Sequence, residues 1–275
     1  MGYKIGFIGC GNMGRAILGG LLKAGIVKAD EVIISCHTKK SCSEVEAEYH
    51  VKAVLDNQEV AGNADVVLLA VKPNKFEEVI PDVKAGLERN AAGENTIVIS
   101  IAAGKDIAYL EKNLGKNQKI IRVMPNTPAL VGEGMSALTV NARVTEEDLK
   151  YALTIFESFG KAEVVPESMM DAVIGVSGSS PAYVYMFIEA LADGAVAAGM
   201  PRAQAYTFAA QSVLGAAKMV LETGQHPGAL KDAVCSPGGT TMAGVLELEK
   251  QGLRNAVIAG EMACIQKSID MTKFD

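Results

Sequence analysis

Metal-binding and disulfide chemistry have little to work with in this chain. It has three histidines, and its five cysteines (Cys10, Cys36, Cys42, Cys235, Cys264) are scattered and form no C-x-x-C pair. An odd, dispersed set of thiols argues against a zinc site or a disulfide framework and fits a reducing cytoplasm. No long basic run occurs and the net charge is -6, so a nucleic-acid surface is not expected. The start carries no signal-peptide pattern, and Met1-Gly2 is not a myristoylation start because Gly6 stands where Ser or Thr is needed. The longest uncharged run, Ala172 to Ile188, contains three serines and a proline and is short for a membrane span, so it reads as a buried core helix. What remains is a globular composition, 49% apolar and 21% charged, long enough for two domains whose partners are small molecules or other subunits.

The first half alternates apolar strands with helical stretches. Tyr3 to Ile8 is a short β-biased run, followed by Gly9-Cys10-Gly11-Asn12-Met13-Gly14 and then a helical RAILGGLL. This G-x-G-x-x-G sits after a strand and opens a helix, the context a dinucleotide fingerprint requires. Gly9 makes the tight turn, Gly11 lets a pyrophosphate touch backbone, and Gly14 packs the helix on the strand. A second strand, Glu31 to Ser35, ends where an acid normally holds the 2'-hydroxyl of NAD, but Ser35-Cys36-His37-Thr38-Lys39-Lys40 contains none. Hydroxyls and cations suit a 2'-phosphate, so NADP is expected with NAD the alternative; equally, Lys39 and Lys40 could simply solvate a loop. Further strands, Asp65 to Val71, Thr96 to Ile101 and Lys119 to Met124, alternate with helices Phe76 to Leu87 and Asp106 to Asn113. This is an α/β pattern, a Rossmann-type doubly wound sheet with its ligand at the strands' carboxyl ends: Val71-Lys72-Pro73, Ala102-Ala103 and the Pro125 turn. Small residues there leave room for a flat nicotinamide ring.

After Met135 to Val140, a capped helix from Thr145 to Phe159 and a strand Ala162 to Val165, the composition shifts. From Ser168 to Met271 no strand is expected, only Ala-, Met- and Gly-rich helices, giving domains 1-165 and 166-275. Helices this apolar are buried on most faces, so the second, all-α domain is expected to form intertwined dimers. Within it, Ser236-Pro237-Gly238-Gly239-Thr240-Thr241 opens a helix. Such a terminus binds a carboxylate or phosphate through free N-H groups, with glycines allowing close approach and threonine hydroxyls beside the ligand. The alternative is an ordinary capped helix after a tight turn.

Taken together, GFIGCGNMGRAILGGLL, LLAVKP, ISIAAG, RVMPNTPALVGEGMSAL, VSGSSPAY, ALADGAVAAGMPR, AAKM and HPGALKDAVCSPGGTTMAGVLELE closely resemble the pyrroline-5-carboxylate reductases, in order from Ile5 to about Ile269. The resemblance implies reduction of 1-pyrroline-5-carboxylate to L-proline by hydride from NAD(P)H. It also implies dinucleotide contacts at Asn12, Met13, Ser35, Asn57, Val71, Lys72 and Ala103. Val234, Ser236, Gly239 and Thr240 would surround the substrate, and Thr241 would sit at its ring nitrogen as the catalytic residue. Lys72 reads as a cofactor-positioning residue rather than a catalytic one, and Glu189 with Asp193, one turn apart, read as caps or as a dimer face rather than an acid-base pair. A β-hydroxyacid dehydrogenase would place a lysine in the long helix, and Ala172 to Ala198 has none. A non-catalytic dinucleotide sensor would not need the SPGGTT segment.

Overall fold

The computed structural model describes residues 2–272; Met1, weighed above as a lipidation start, lies outside them. The strands are β1 (Tyr3–Ile8), β2 (Val32–Ser35), β3 (Lys52–Val54), β4 (Ala64–Leu69), β5 (Ile97–Ser100), β6 (Lys119–Met124), β7 (Gly134–Val140) and β8 (Gly160–Val164). Between them run α1 (Asn12–Lys23), α2 (Lys39–Tyr49), α3 (Asn57–Asn63), α4 (Phe76–Leu87), α5 (Ile107–Leu114) and α6 (Glu146–Glu157). One sheet has the order β3-β2-β1-β4-β5-β6-β7-β8, parallel except for the β6–β7 pair. Strands of a parallel sheet are covered on both faces, and β2 and β5 are accordingly buried at every position. One face packs α1 and α6 through Ile17, Leu21 and Phe156; the other packs α3 and α4 through Val60, Ile80 and Val83.

Three elements escape the sequence patterns above. Lys39 and Lys40 open α2 rather than a loop, because the Thr38 hydroxyl caps the helix by accepting from Ser41 N–H at 3.2 Å. The short β3 and α3 follow, and α3 is capped by Asp56.

Past β8 the chain is helical: α7 (Met170–Val173), a π-helical segment Ile174–Ser179, then α8 (Ser180–Ala197), α9 (Arg202–Thr223), α10 (Pro227–Val234), α11 (Thr240–Lys250) and α12 (Leu253–Thr272). Two compact units result, one reaching Gly178 and resuming at Ile265, the other Ser179–Cys264. The first unit keeps α7 because Met170 is buried in a cluster with Met124 and Ala137. In the second, α8 and α9 form a hairpin around Ala192, Ala205 and Ala209.

One expectation fails here. Ala172 to Ile188 is not one regular buried helix: its turns widen to a π-helix at Ile174–Ser179, and Tyr185 and Met186 are 60% and 69% exposed. The apolar helices of the second unit are, as expected of a domain too apolar to cover itself, not covered within one chain: Ile188, Ala195, Val196 and Met200 pack on the buried alanines of the α8–α9 seam, while Phe208 and Leu221 are 61% and 63% exposed. Among the described residues no helix is long and apolar enough to cross a membrane.

The link between β6 and α6 is electrostatic. Lys119 Nζ lies 2.8 Å from Asp148 Oδ2, with both side chains largely buried. Asp148 also closes a capping box with Thr145, accepting from its N–H at 2.9 Å and its hydroxyl at 2.7 Å. Burial acts to raise the Asp148 carboxyl pKa, but Lys119 and Thr145 outweigh it and hold the group below its ordinary value of 3.8. Because the folded pKa is the lower one, the stabilisation is complete above that ordinary value and is lost as pH falls through the folded one. Asp148→Asn should cost about 1–2 kcal/mol at neutral pH. In thermal melts the gap from wild type should begin to narrow below about pH 4 and go on closing as pH falls through the lower, folded pKa; a gap that stays constant over that fall contradicts the assignment.

Candidate active site

The parallel pairs β1–β2 and β1–β4 put three carboxyl ends side by side, where the strand order reverses and a crevice opens. The chain is held there by Gly9 N–H donating to Ser35 O (3.0 Å) and Ala70 N–H donating to Ile8 O (2.9 Å). Each glycine of the fingerprint has its own reason. Gly9 adopts φ +84, and a Cβ on it would lie 2.6 Å from Val71 Cγ1. At Gly14 a Cβ would come 3.3 Å from Gly9 O and 3.4 Å from Ala70 Cβ, so the residue lets α1 pack on the strand ends. At Gly11 a Cβ would meet nothing within 4 Å. No neighbour in the protein requires glycine there.

Gly11 is also the N-cap of α1 and places no side-chain oxygen on the helix's first N–H groups. Helices α2, α3, α5 and α6, by contrast, are closed by Thr38, Asp56, Asp106 and Thr145. The free N–H groups of α1 therefore remain available to an anion. Beside them lies a cavity of about 540 Å³ lined by Gly9, Gly11, Ser35, Asn57, Val71 and Lys72 among others. Of the expected cofactor residues these six meet at one place. Asn12 is exposed, Met13 packs on the core and Gly14 is buried behind the turn, so none of the three lines the cavity. Ala103 packs against the Met124–Ala137–Met170 cluster.

The cavity's outer wall was not legible in the sequence. Leu55, Lys75, Glu78 and Asp82 line it, whereas Lys39 and Lys40 do not. Lys75 pairs with Glu78 at 2.7 Å, and that ammonium, with a weaker contribution from His37, holds the Glu78 carboxyl below the usual range. Asn57 and Gln58 donate to Asp82 at 3.4 and 3.2 Å, fixing the start of α3 against α4. Ser35 is 1% exposed and its hydroxyl points at Phe7 O, 3.4 Å away. Burial pushes the Cys10 thiol up to about 11 and the Cys36 thiol up to about 12, so both line the cavity as neutral groups.

In the helical unit, the segment after α10 has the same construction. Val234 ends α10 and is 66% exposed; Ser236 O accepts from Gly239 N–H at 3.0 Å, and Gly238 between them adopts φ +67. Gly239 is the N-cap of α11 and again contributes no side-chain cap. Thr240 and Thr241, the first two residues of that helix, are exposed, as is Ser236. A Cβ on Gly239 would lie 2.3 Å from Ser236 Oγ. The backbone here is open to an anion, with three hydroxyls around it. Asp193, by contrast, is engaged by Arg202 in an ion pair.

A glycine turn at the switch point of a doubly wound sheet, an uncapped helix behind it and a cavity beside it define the first unit as a dinucleotide-binding unit of the oxidoreductase type. Residues 4–104 match the family model "NADP oxidoreductase coenzyme F420-dependent", and residues 167–271 match "Pyrroline-5-carboxylate reductase dimerisation". The pyrroline-5-carboxylate reductase of Escherichia coli K12 is 52% identical over 99% of this chain and 100% of its own length. The solved enzyme of Coxiella burnetii superposes with a TM-score of 0.91 at 34% identity, covering 99% of both chains. That of Plasmodium falciparum, solved with NADP bound, gives 0.87 at 35% identity over 98% of both. The chain belongs to the pyrroline-5-carboxylate reductase family.

The two fingerprint glycines separate by cause. Gly9→Ala should cost about 1–3 kcal/mol, because it strains a positive-φ turn and meets Val71. Gly11→Ala should stay within about 0.5 kcal/mol of wild type. Denaturant unfolding checks both; an equally large loss at Gly11 would mean that the fold, not a ligand, demands that glycine.

Proposed function

We propose that this chain is a pyrroline-5-carboxylate reductase: it reduces the C=N bond of 1-pyrroline-5-carboxylate to L-proline with hydride from NADPH, NADH being the alternative donor, as the last step of proline biosynthesis. The observation that carries the reading is the pair of glycine-capped, side-chain-free helix N-termini, one beside a dinucleotide-sized cavity and one inside SPGGTT. The open space over Gly11 and the uncapped α1 fit a pyrophosphate. When bound, the dinucleotide supplies a hydride to the imine carbon, while a proton is retained on the nitrogen.

The residues have the following parts in this reading. Gly9, Gly11, Asn12, Met13 and Gly14 form the phosphate turn. Ser35 and Asn57 stand at the ribose and adenine end; Val71, Lys72 and Ala103 follow toward the nicotinamide. Lys72 neutralises phosphate charge and positions the cofactor. The backbone N–H of Thr240 and the Ser236 hydroxyl hold the substrate carboxylate, Gly239 lets it approach the backbone closely, and Val234 packs on its ring. Thr241 hydrogen-bonds the ring nitrogen and keeps its proton in place. A protonated imine is already electrophilic, so orientation supplies much of the rate, an effect that can reach about 7–11 kcal/mol.

Residues 1–165 are assigned to cofactor binding, and 166–275 to substrate binding and dimerisation. The exposed apolar side chains Tyr185, Met186, Phe208 and Leu221 support a homo-oligomer built from intertwined dimers, which would cover them. Five free thiols support a cytoplasmic location.

The direct test is NADPH oxidation with and without 1-pyrroline-5-carboxylate, repeated with NADH. Proline formation at the expense of NADPH is expected; cofactor binding without turnover contradicts the reading. Thr241→Ala should lower kcat about 10²-fold or more while NADPH affinity holds, and unchanged turnover removes its role. Gly239→Val should raise KM for the imine about tenfold or more by crowding the anion site; a normal KM argues against that placement.

A further inference from the structure

Asn126 makes a connection that the mechanism above does not use. It follows Met124-Pro125 at the carboxyl end of β6 and is 8% exposed. Its side-chain oxygen accepts from Met135 N–H at 2.8 Å, and its side-chain nitrogen donates to the Ser177 carbonyl at 3.0 Å. The partners decide the orientation of the amide, since a backbone N–H can only donate and a carbonyl only accept.

Ser177 lies in the π-helical segment Ile174–Ser179, IGVSGS. A π turn is rare and tends to occur at functional positions, and two glycines with two β-branched residues give this one little helical propensity of its own. Contacts within the first unit hold it. Beside the Asn126 bond, the Ser177 hydroxyl donates to Val173 O at 3.0 Å, and Ser268 Oγ donates to Asp171 just upstream at 2.6 Å. Val173 and Ile174 pack on the Met124–Ala137–Met170 cluster, which also takes in Ala103.

Ala103 is the residue assigned above to the nicotinamide end of the cofactor, and the inference rests on that reading. Through Ile174 the π segment packs on the same cluster as Ala103. The phosphate turn and the cavity stand at β1, β2 and β4, with β5 between them and β6. Loosening the π segment should therefore disturb how the reacting ring is held without weakening the hold on the rest of the dinucleotide.

We propose that Asn126 is a positioning residue for hydride transfer: its bond to the Ser177 carbonyl fixes the π turn beside Ala103 and thereby the orientation of the reacting ring. Asn126→Asp keeps the acceptor for Met135 N–H but cannot donate to Ser177 O, so it breaks the link to the π segment and leaves the link to Met135 intact; Asn126→Ala removes both. In Asn126→Asp without ligand, amide hydrogen exchange at 174–179 should accelerate about tenfold or more while the sheet stays protected. NADPH affinity measured without substrate should stay within about twofold, while kcat falls about ten- to a hundredfold and the isotope effect with 4-deuterated NADPH rises. Asn126→Ala should show the same split with lower stability.

With an active wild type, the inference is overturned by unchanged exchange at 174–179, by unchanged kcat, or by a kcat loss matched by an equal loss of NADPH affinity. A wild type that binds NADPH yet does not reduce the imine overturns the proposed function, and this inference with it.

Discussion

The parallel pairing of β1 with both β2 and β4 is the constraint on which the rest depends. It brings three strand ends together where the order of the sheet reverses, and the chain must leave β1 through a turn that only glycine adopts without strain, at φ +84. That turn delivers α1 with its first N–H groups facing the crevice and no side chain to satisfy them. An anion is what such a terminus accepts. The neutral thiols of Cys10 and Cys36 on the cavity wall do not compete with it for charge.

Legibility in the sequence followed how locally each feature is determined. β6 and α4 were read at their observed ends because a buried parallel strand and an amphipathic helix each carry a complete signal in their own residues. The fingerprint was legible because its glycines answer to backbone geometry within a few residues. α2 was missed because KKSCSEVEAEY is too polar to show a face, burying only Cys42 and Val45. β3 has three residues, too few for a pattern. Lys75, Glu78 and Asp82 could not be assigned to the cavity because helix α4 brings them there, a tertiary fact that no local pattern records. The π segment is legible only through its clamp, since nothing in IGVSGS by itself demands a widened turn.

The helical unit presents the opposite case. Its all-helical character was legible from Ser168 to Met271, because periodicity and the absence of strand patterns are local, but what covers its apolar faces is not. An apolar helix implies cover without saying what supplies it. Added Cβ atoms at Gly194, Gly215, Gly244 and Gly260 would meet nothing within 4 Å in the single chain, so these small residues answer to no neighbour of their own chain. Dimerisation, the property named by the family model over residues 167–271, supplies a physical reason for them in the proposed reading.

The central claim is direct hydride transfer from a bound dinucleotide to the imine carbon. It is tested most directly by supplying NADPH deuterated at the transferable C4 position and analysing the proline by NMR and mass spectrometry. The account predicts one deuterium per molecule at the ring carbon bonded to nitrogen that was the imine carbon, on one face only. Proline formed without the label, with the label scattered over both faces, or labelled instead from deuterated solvent at that carbon would contradict it.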